Sequence, residues 1–157
     1  KPSYSLRIDF MEAVKGTTKT VSLDGKKREI KVPAGVNEGT RIQFNDFDIV
    51  ISVKSHPKFK REGNDIITEL TISMLEAALG GIEEIDSLDG KVKLKIPQGT
   101  QPETLIRMKG KGVKNIRNSS HGDHYVRIHV KIPDKISSKE KELLEDLQEE
   151  STKRRWF

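Results

Sequence analysis

The feature that most constrains the fold of this chain is a stretch of sequence that occurs twice. One copy runs from Leu23 to Gly35 and the other from Leu88 to Thr100. In both copies an Asp-Gly pair supplies the positive φ angles of a tight hairpin turn, an alternating apolar run follows, and Pro-x-Gly ends the strand. The alternating residues are Ile30 and Val32 in the first copy and Val92, Leu94 and Ile96 in the second. Each copy therefore predicts a hairpin with a sharply terminated strand.

The similarity between the two halves extends beyond this hairpin. Residues 11–16 return as residues 75–80 at an offset of about 64, and the sequence Asn45-Asp46 before an alternating strand is matched by Gly122-Asp123. We therefore predict a mostly β chain with two tandem, homologous, β-sandwich-like subdomains, short helices and a C-terminal helix. The predicted bounds are 1–62, 63–134 and 135–157.

Periodicity places the elements within each repeat. Tyr4, Leu6, Ile8 and Phe10 alternate with polar residues, which is strand periodicity. A short helical turn over 10–14 is closed by Gly16, and further strands are predicted over 17–23, 28–32, 40–44, 47–53 and 66–72. Ser138 and Glu140 resemble a helix start, so 138–150 should be a helix with one apolar stripe.

Composition limits the size of the core and the classes of partner. Only 33% of the residues are hydrophobic, so each subdomain can bury a thin core and we expect apolar grooves that stay partly open. The net charge of +5 suits an anionic partner, although such an excess is more often a solvated surface. The absence of cysteine excludes disulfides and fits a reducing compartment, so we predict the cytoplasm or an organelle matrix. No apolar run indicates a membrane span or a signal peptide. Because the chain begins at Lys1-Pro2, it is expected to be a piece of a longer protein.

The second repeat carries a Gly-, Lys- and Ser-rich loop over residues 109–121 that the first repeat lacks. In the first repeat the flanking strands meet almost directly at Phe44 and Asn45. Either Asn45 and Asp46 form a tight hairpin turn there, or a mobile loop is missing from the sequence.

Patterns that would indicate an enzyme are weak. His124 and His129 should lie on opposite faces of one strand, which argues against a metal site with His121. The loop at Gly110 lacks the strand-loop-helix setting of a phosphate loop, and Ser119-Ser120 has no acid partner in sequence. The run Glu83, Glu84 and Asp86 is typical of a solvated turn. We therefore predict no enzyme, no cofactor and no metal.

Several ordered motifs together resemble one known family. They are Glu-Ala-x-x-Gly, the stretch His56–Asp65, Ala77–Gly81, Leu88–Gly90, Arg107–Gly112 and Gly122-Asp123. The chain resembles, over essentially its whole length, the C-terminal client-binding region of DnaJ-type co-chaperones. The resemblance implies two β-sandwich-like subdomains and a dimerisation helix. The family's J domain is not matched, since His56-Pro57 is followed by Lys58. The cysteine-rich zinc hairpins are not matched either. The chain therefore resembles the zinc-free class of the family, or a chain from which the zinc hairpins were removed.

The resemblance also implies a client-binding groove along the first two strands of the first subdomain. An unfolded client offers extended backbone and apolar side chains, so a receptor needs an open strand edge and a shallow apolar groove. Lys19 on the same strand could pair with an acidic client or with the acidic tail of the large chaperone. The apolar residues assigned to this groove could instead be core residues, because alternating apolar residues of a small β-sandwich normally face its core. The predicted lining is Tyr4, Leu6, Val21 and Leu23, with Phe59 as the floor.

The second repeat need not repeat this site, because Leu70, Ile72 and Ile85 could pack against the linker or the other subdomain. In the C-terminal helix, Leu143, Leu144 and Leu147 could cover the second subdomain, or, as the resemblance implies, form a homodimer whose two arms bind a client bivalently. Trp156 and Phe157 could dock on a neighbouring molecule or fray.

Two functions follow from these patterns. The first is a co-chaperone fragment that binds exposed hydrophobic segments of unfolded polypeptide clients, for transfer to an ATP-driven seventy-kilodalton heat-shock chaperone. The alternative is a nucleic-acid-binding module that uses the basic loop over residues 109–117. No membrane partner is expected.

Overall fold

The computed structural model describes residues 1–154, which form mostly β-strands, as predicted. Trp156 and Phe157 lie outside the described residues. The first half of the chain contains, in order, β1 (Ser3–Ile8), α1 (Phe10–Lys15), β2 (Thr17–Leu23), β3 (Lys26–Val32), β4 (Arg41–Gln43) and β5 (Asp48–Val53). The second half contains β6 (Lys60–Glu62), β7 (Asp65–Ser73), α2 (Met74–Leu79), β8 (Gly81–Ser87), β9 (Gly90–Ile96), β10 (Leu105–Met108), β11 (His124–Lys131) and α3 (Ser138–Arg154).

The two halves repeat one topology. In the first, the sheet order is β1-β5-β4, with β1 parallel to β5, and β2 pairs with β3 as a separate hairpin. In the second, the order is β10-β11-β7-β6, with β7 parallel to β11, and β8 pairs with β9. Each half therefore places a small mixed sheet against a two-stranded hairpin, which confirms the tandem β architecture.

Glycines end the short helices where no other residue fits. Gly16 closes α1 with φ of 82°, and a Cβ there would lie 2.9 Å from the backbone nitrogen of Ala34. Gly80 closes α2 with φ of 81°, and its Cβ would lie 2.9 Å from the carbonyl oxygen of Ile96. The Glu-Ala-x-x-Gly repeat is thus explained by left-handed backbone and close approach to the hairpin.

Each subdomain has its own small apolar core. The first is built on residues such as Ile8, Ile30 and Ile51, and the second on residues such as Ile72, Ile96 and Ile128. A third cluster lies between the subdomains and joins them. Its members are Phe10, Val14, Phe59, Ile66, Leu88 and Val113.

Polar contacts reinforce this junction. Arg61, on β6, donates to the carbonyl oxygens of Val36 and Gly35, the latter at 2.9 Å. Lys15 Nζ lies 2.9 Å from Asp89 Oδ1. Gly35 approaches the second subdomain so closely that a Cβ would lie 2.3 Å from the carbonyl oxygen of Lys114. Because β6 pairs with β7, the hairpin that they form spans the predicted boundary between residues 62 and 63.

The connection between β4 and β5 is a tight turn at Asn45 and Asp46. The Phe44 amide donates to the carbonyl oxygen of Phe47 at 2.9 Å, and the two rings stack with centroids 4.7 Å apart.

Among residues 1–154, no helix combines the length and apolar character that crossing a bilayer requires.

Candidate functional site

The predicted groove residues of the first subdomain lie together along β1 and β2. Tyr4, Leu6, Val21 and Leu23 are all partly buried and pack against the first core cluster. Partial burial leaves each of them accessible from one side, as a shallow apolar groove requires. We call this surface the first groove.

Strand alternation explains why Val21 and Leu23 share one face of β2. In the β2–β3 hairpin, Val21 lies opposite Arg28, two positions before the fully buried Ile30. The intervening residues Thr20 and Ser22 are exposed on the other face. The alternation seen in the sequence therefore separates a core-facing side of β2 from a solvated side.

The end of the first groove next to the β2–β3 turn is a cavity of about 160 Å³ with a polar rim. Tyr4 Oη donates to Asp24 Oδ2 at 2.8 Å, and this hydrogen bond raises the pKa of Tyr4. Arg28 lies 2.7 Å from Asp46 and 5.2 Å from the centroid of the Phe47 ring. The hydrogen bond from Arg28 lowers the pKa of Asp46. The hydrogen bond between Tyr4 and Asp24 and the ion pair between Arg28 and Asp46 thus hold the polar side chains at this end of the first groove in place.

The other end of the first groove, next to α1, holds an ion pair. Lys19 Nζ lies 2.8 Å from Glu12 Oε2, and the hydrogen bond raises the pKa of Lys19. The backbone amide of Asp9, and then Lys19, lower the pKa of Glu12. Lys19 thus lies on β2 with its charge compensated within the subdomain.

Phe59 does not join the other five predicted groove residues. It is 6% exposed and belongs to the cluster between the subdomains, with its ring stacked 6.1 Å from that of Phe10 and edge-on to His124 at 6.2 Å. Phe59 precedes β6, so the chain carries it to the second subdomain. In the sequence, Phe59 is not part of an alternating apolar run, and this indicates a linker position rather than a strand.

Sequence reasoning missed a larger cavity of about 350 Å³ in the second subdomain, which we call the second groove. It lies between β7 and β8, in the position that the first groove takes between β1 and β2. Leu70 and Ile85, two of the three equivalents considered from sequence, border it; Ile85 is also buried in the second core, as is Ile72, which does not border the cavity. The linker residues Pro57, Lys58 and Phe59 close one end.

The histidines are not brought together. His124 is fully buried, its Nε2 lies 2.8 Å from Thr68 Oγ1, and burial lowers its pKa. His129 points away on the other face of β11, where it contacts Glu69 at 3.2 Å and Glu103 at 3.0 Å. Within residues 1–154, no cluster of three or more His, Cys, Asp or Glu side chains is arranged to hold a metal ion.

The apolar stripe of α3 is largely unpaired with the rest of the described chain. Leu143 is 55% exposed and Leu147 is 51% exposed, whereas Leu144 is partly buried. A cavity of about 480 Å³ lies where the start of α3 approaches α2, between Leu75, Pro133 and Glu140.

The basic loop over residues 109–117 is fixed to the protein rather than free. The Gly110 amide donates to Asp123 Oδ1 at 2.8 Å, and the Val113 amide donates to the carbonyl oxygen of Asn64 at 2.7 Å. Val113 is fully buried in the junction between the subdomains. The loop thus contributes to the packing of the second subdomain against the first.

Comparison with known proteins identifies relatives of the whole β region. The family model of the DnaJ C terminal domain matches residues 3–133. The chain is 43% identical to chaperone protein DnaJ of Clostridioides difficile, over 80% of this chain and 36% of that protein. It is 42% identical to chaperone protein DnaJ of Brevibacillus choshinensis, over 79% of this chain and 36% of the relative. It is 40% identical to chaperone protein DnaJ of Acetivibrio thermocellus, over 78% of this chain and 35% of the relative. The chain therefore spans about a third of the length of these relatives.

Proposed function

The chain belongs to the DnaJ C-terminal domain family, and from that premise we propose that it binds exposed apolar segments of non-native polypeptides in the first groove. The DnaJ relatives are named chaperone proteins, which supports a co-chaperone role without chemistry on the bound polypeptide.

One observation carries the proposal. Tyr4, Leu6, Val21 and Leu23 are half-buried apolar side chains that all pack against the first core, and Tyr4 and Leu23 line the cavity next to the β2–β3 turn. Within residues 1–154, β2 pairs only with β3, so its other edge has backbone groups free for a further strand. An extended client can pair with that edge and place every second side chain in the groove.

Replacing Val21 and Leu23 together by serine is expected to weaken binding of an apolar, unstructured peptide at least about tenfold, because both residues would lose apolar contact area with the client. Fluorescence anisotropy of the labelled peptide measures the loss. The matched control is Thr18→Ser with Thr20→Ser, which changes the solvated face of the same strand. Circular dichroism verifies that both variants are folded.

Equal binding by wild type and the groove variant would contradict this assignment. The dependence of affinity on salt concentration distinguishes peptide binding in the groove from nucleic-acid binding. Phosphate contacts weaken steeply as the salt concentration rises, whereas binding in an apolar groove changes little. A labelled DNA duplex in the same titration is the comparison probe.

We extend the proposal to delivery of the client, by the longer protein, to the ATP-driven seventy-kilodalton chaperone. Lys19 borders the first groove, and its ammonium, which pairs with Glu12 in this chain, would exchange that carboxylate for one of the acidic tail of that chaperone. A labelled peptide with the sequence of the tail should bind wild type and lose affinity in Lys19→Ala. Failure of wild type to bind it would remove this partner from the proposal.

We also propose that α3 forms a homodimer through Leu143, Leu144 and Leu147. The exposure of two of these leucines in one chain supports a partner surface. Leu143→Ser with Leu147→Ser is expected to convert a dimer to a monomer in sedimentation velocity, because both apolar contacts disappear. Glu142→Ser with Glu149→Ser alters exposed positions of the same helix as a control. A wild-type chain that sediments as a monomer at high concentration would contradict the proposal.

A further inference from the structure

The contact between the two subdomains contains two histidine side chains, and both touch Phe59. The ring centroid of His56 lies 4.8 Å from that of Phe59, and the ring centroid of His124 lies 6.2 Å from it. Phe10 packs on His56 and on Phe59, at 5.6 Å and 6.1 Å between ring centroids. Phe10 and Phe59 belong to the apolar cluster that joins the subdomains. The junction therefore includes two imidazole rings, and imidazole is the side chain best suited to respond to a proton near neutral pH.

His56 holds the linker between β5 and β6 in a turn by accepting hydrogen bonds. Its Nδ1 atom accepts from the backbone amide of Lys58 at 3.0 Å and from that of Phe59 at 3.2 Å. Only a ring nitrogen without a hydrogen can accept, so this turn requires an unprotonated Nδ1. An imidazolium carries a hydrogen on both ring nitrogens, and its Nδ1–H would face two N–H donors. Protonation therefore removes both hydrogen bonds that direct Phe59 into the junction.

The charges around His56 add to the cost of protonation. His56 borders a cavity of about 340 Å³ at the junction. The cations that border this cavity, or lie beside His56 in the linker, are Lys54, Lys58, Lys60 and Arg61. Glu38 borders the cavity as well, but its Oε2 atom already accepts from the amide of Val53. An imidazolium at this position would join a group of like charges, whose repulsion favours opening of the turn.

His124 is sensitive to protonation because it is buried. Its side chain is fully buried, its Nε2 atom lies 2.8 Å from Thr68 Oγ1, and its Nδ1 atom has no partner among the described residues. Its neighbours on β7, on β10 and in the linker are uncharged: Ile66, Thr68, Met108 and Phe59. The adjacent Asp123 pairs with Arg107 instead. A protonated His124 would thus be a buried charge without a counter-charge.

The direction of the pH effect follows from the burial of His124. Burial holds the pKa of His124 in the folded protein below its ordinary value of 6.5. Well above pH 6.5 the imidazole is neutral whether or not the junction is formed, and the junction keeps its full stability. As the pH falls below 6.5, the state in which His124 is exposed takes up the proton first. The stability of the junction therefore declines until the pH reaches the pKa of the folded protein.

We propose that the junction is a proton-sensitive coupling between the two subdomains. While His56 and His124 are neutral, the linker turn holds Phe59 in the apolar cluster and the subdomains keep one relative position. When both imidazoles are protonated, the turn opens, Phe59 leaves the cluster and the subdomains move more independently. Pro57, Lys58 and Phe59 also close one end of the second groove, so the same step opens that cavity.

The distribution of distances between the subdomains measures this coupling. Because the chain has no cysteine, two dyes can be attached through Thr20→Cys on β2 and Lys93→Cys on β9, both at exposed positions. Single-molecule energy transfer at neutral pH is expected to give one narrow distribution. At about pH 5 the distribution should become at least about twofold broader, because both histidines are then protonated. Circular dichroism at both pH values verifies that the strands of each subdomain remain folded.

The variant His56→Asn with His124→Gln is expected to keep the narrow distribution at about pH 5. An asparagine side chain can accept from backbone amides just ahead of it, as His56 does, and it does not titrate. Glutamine offers Thr68 a polar partner and does not titrate either. His129→Asn is the matched control, because His129 lies on the other face of β11 and contacts Glu69 and Glu103. This control should broaden as wild type does.

Every outcome bears on the coupling. A wild-type distribution that stays narrow in acid overturns the inference, and so does equal broadening in wild type and in the double variant, which would assign the effect to carboxyl groups. Loss of the broadening in His129→Asn would move the effect to the outer face of β11 and overturn the inference as well. If His124→Gln prevents folding, His56→Asn alone decides, since it should broaden less than wild type, and equal broadening contradicts the proposal.

Discussion

Replacing Gly122 by alanine is expected to unfold the second subdomain. A Cβ at this position would lie 2.1 Å from the carbonyl oxygen of Asn64 and 2.4 Å from its carbonyl carbon. Both atoms belong to the backbone of the turn that begins β7, so no side chain can rotate away to make room. Gly112 is enclosed in the same place, where its Cβ would lie 2.5 Å from the same oxygen. We expect a loss of about 3 kcal/mol or more in the free energy of unfolding.

Urea denaturation followed by circular dichroism measures this loss. Gly81→Ala is the matched control, because its nearest neighbour would be the flexible side chain of Glu76 at 3.3 Å. That variant should remain within about 1 kcal/mol of wild type. A Gly122→Ala protein as stable as Gly81→Ala would mean that the backbone of Asn64 is free to move, contrary to the packing described above.

The second large effect is expected from Arg61→Met. The guanidinium of Arg61 donates to the carbonyl oxygens of Gly35 and Val36 in the first subdomain and to Asn64 and Gly63 in the second. Gly35 and Val36 are buried, so the substitution leaves their carbonyl groups without a partner. Each unsatisfied buried group costs about 1–3 kcal/mol, and we expect a total loss of about 2–4 kcal/mol.

Because these bonds join the two subdomains, Arg61→Met should also change the form of the unfolding transition. Calorimetry of wild type is expected to show one cooperative transition, whereas the variant should show two. Arg61→Lys keeps the charge but cannot form the forked hydrogen bonds. The free energy of unfolding of this variant should therefore lie between those of wild type and Arg61→Met. A single transition in Arg61→Met would show that the apolar cluster around Phe59 is enough to couple the subdomains.

The internal repeat made most of the fold predictable. Asp-Gly turns and alternating strands depend on local backbone preference and side-chain period, which a sequence shows directly. The strand β6 was not predicted, because Lys60-Arg61-Glu62 has no apolar alternation and is specified by its pairing with β7. Phe59 was misplaced for a related reason, since an aromatic residue in a linker can pack on either neighbour.

The candidate site was predictable only where it follows the period of one strand. Tyr4 and Leu6 follow the alternation of β1, whereas the assignment of Tyr4, Leu6, Val21 and Leu23 to a groove came from the resemblance; the structure places all four half-buried against the first core. The second groove depends on how the linker at Pro57 closes the space between β7 and β8, and that is a long-range contact.

The parallel pairs β1–β5 and β7–β11 join strands that lie far apart in the sequence, which has a consequence for synthesis of the chain. Ser3 lies opposite Asp48, and Ile66 lies opposite His124, so each sheet joins residues that leave the ribosome far apart in time. The hairpins β2–β3, β6–β7 and β8–β9 can form from neighbouring residues, but the pairing of β1 with β5 and of β7 with β11 must wait until the later strand is made. Topologies dominated by such distant contacts fold slowly. During elongation the chain therefore exposes apolar strands of its own, and the nascent chain then resembles the polypeptides that it is proposed to bind.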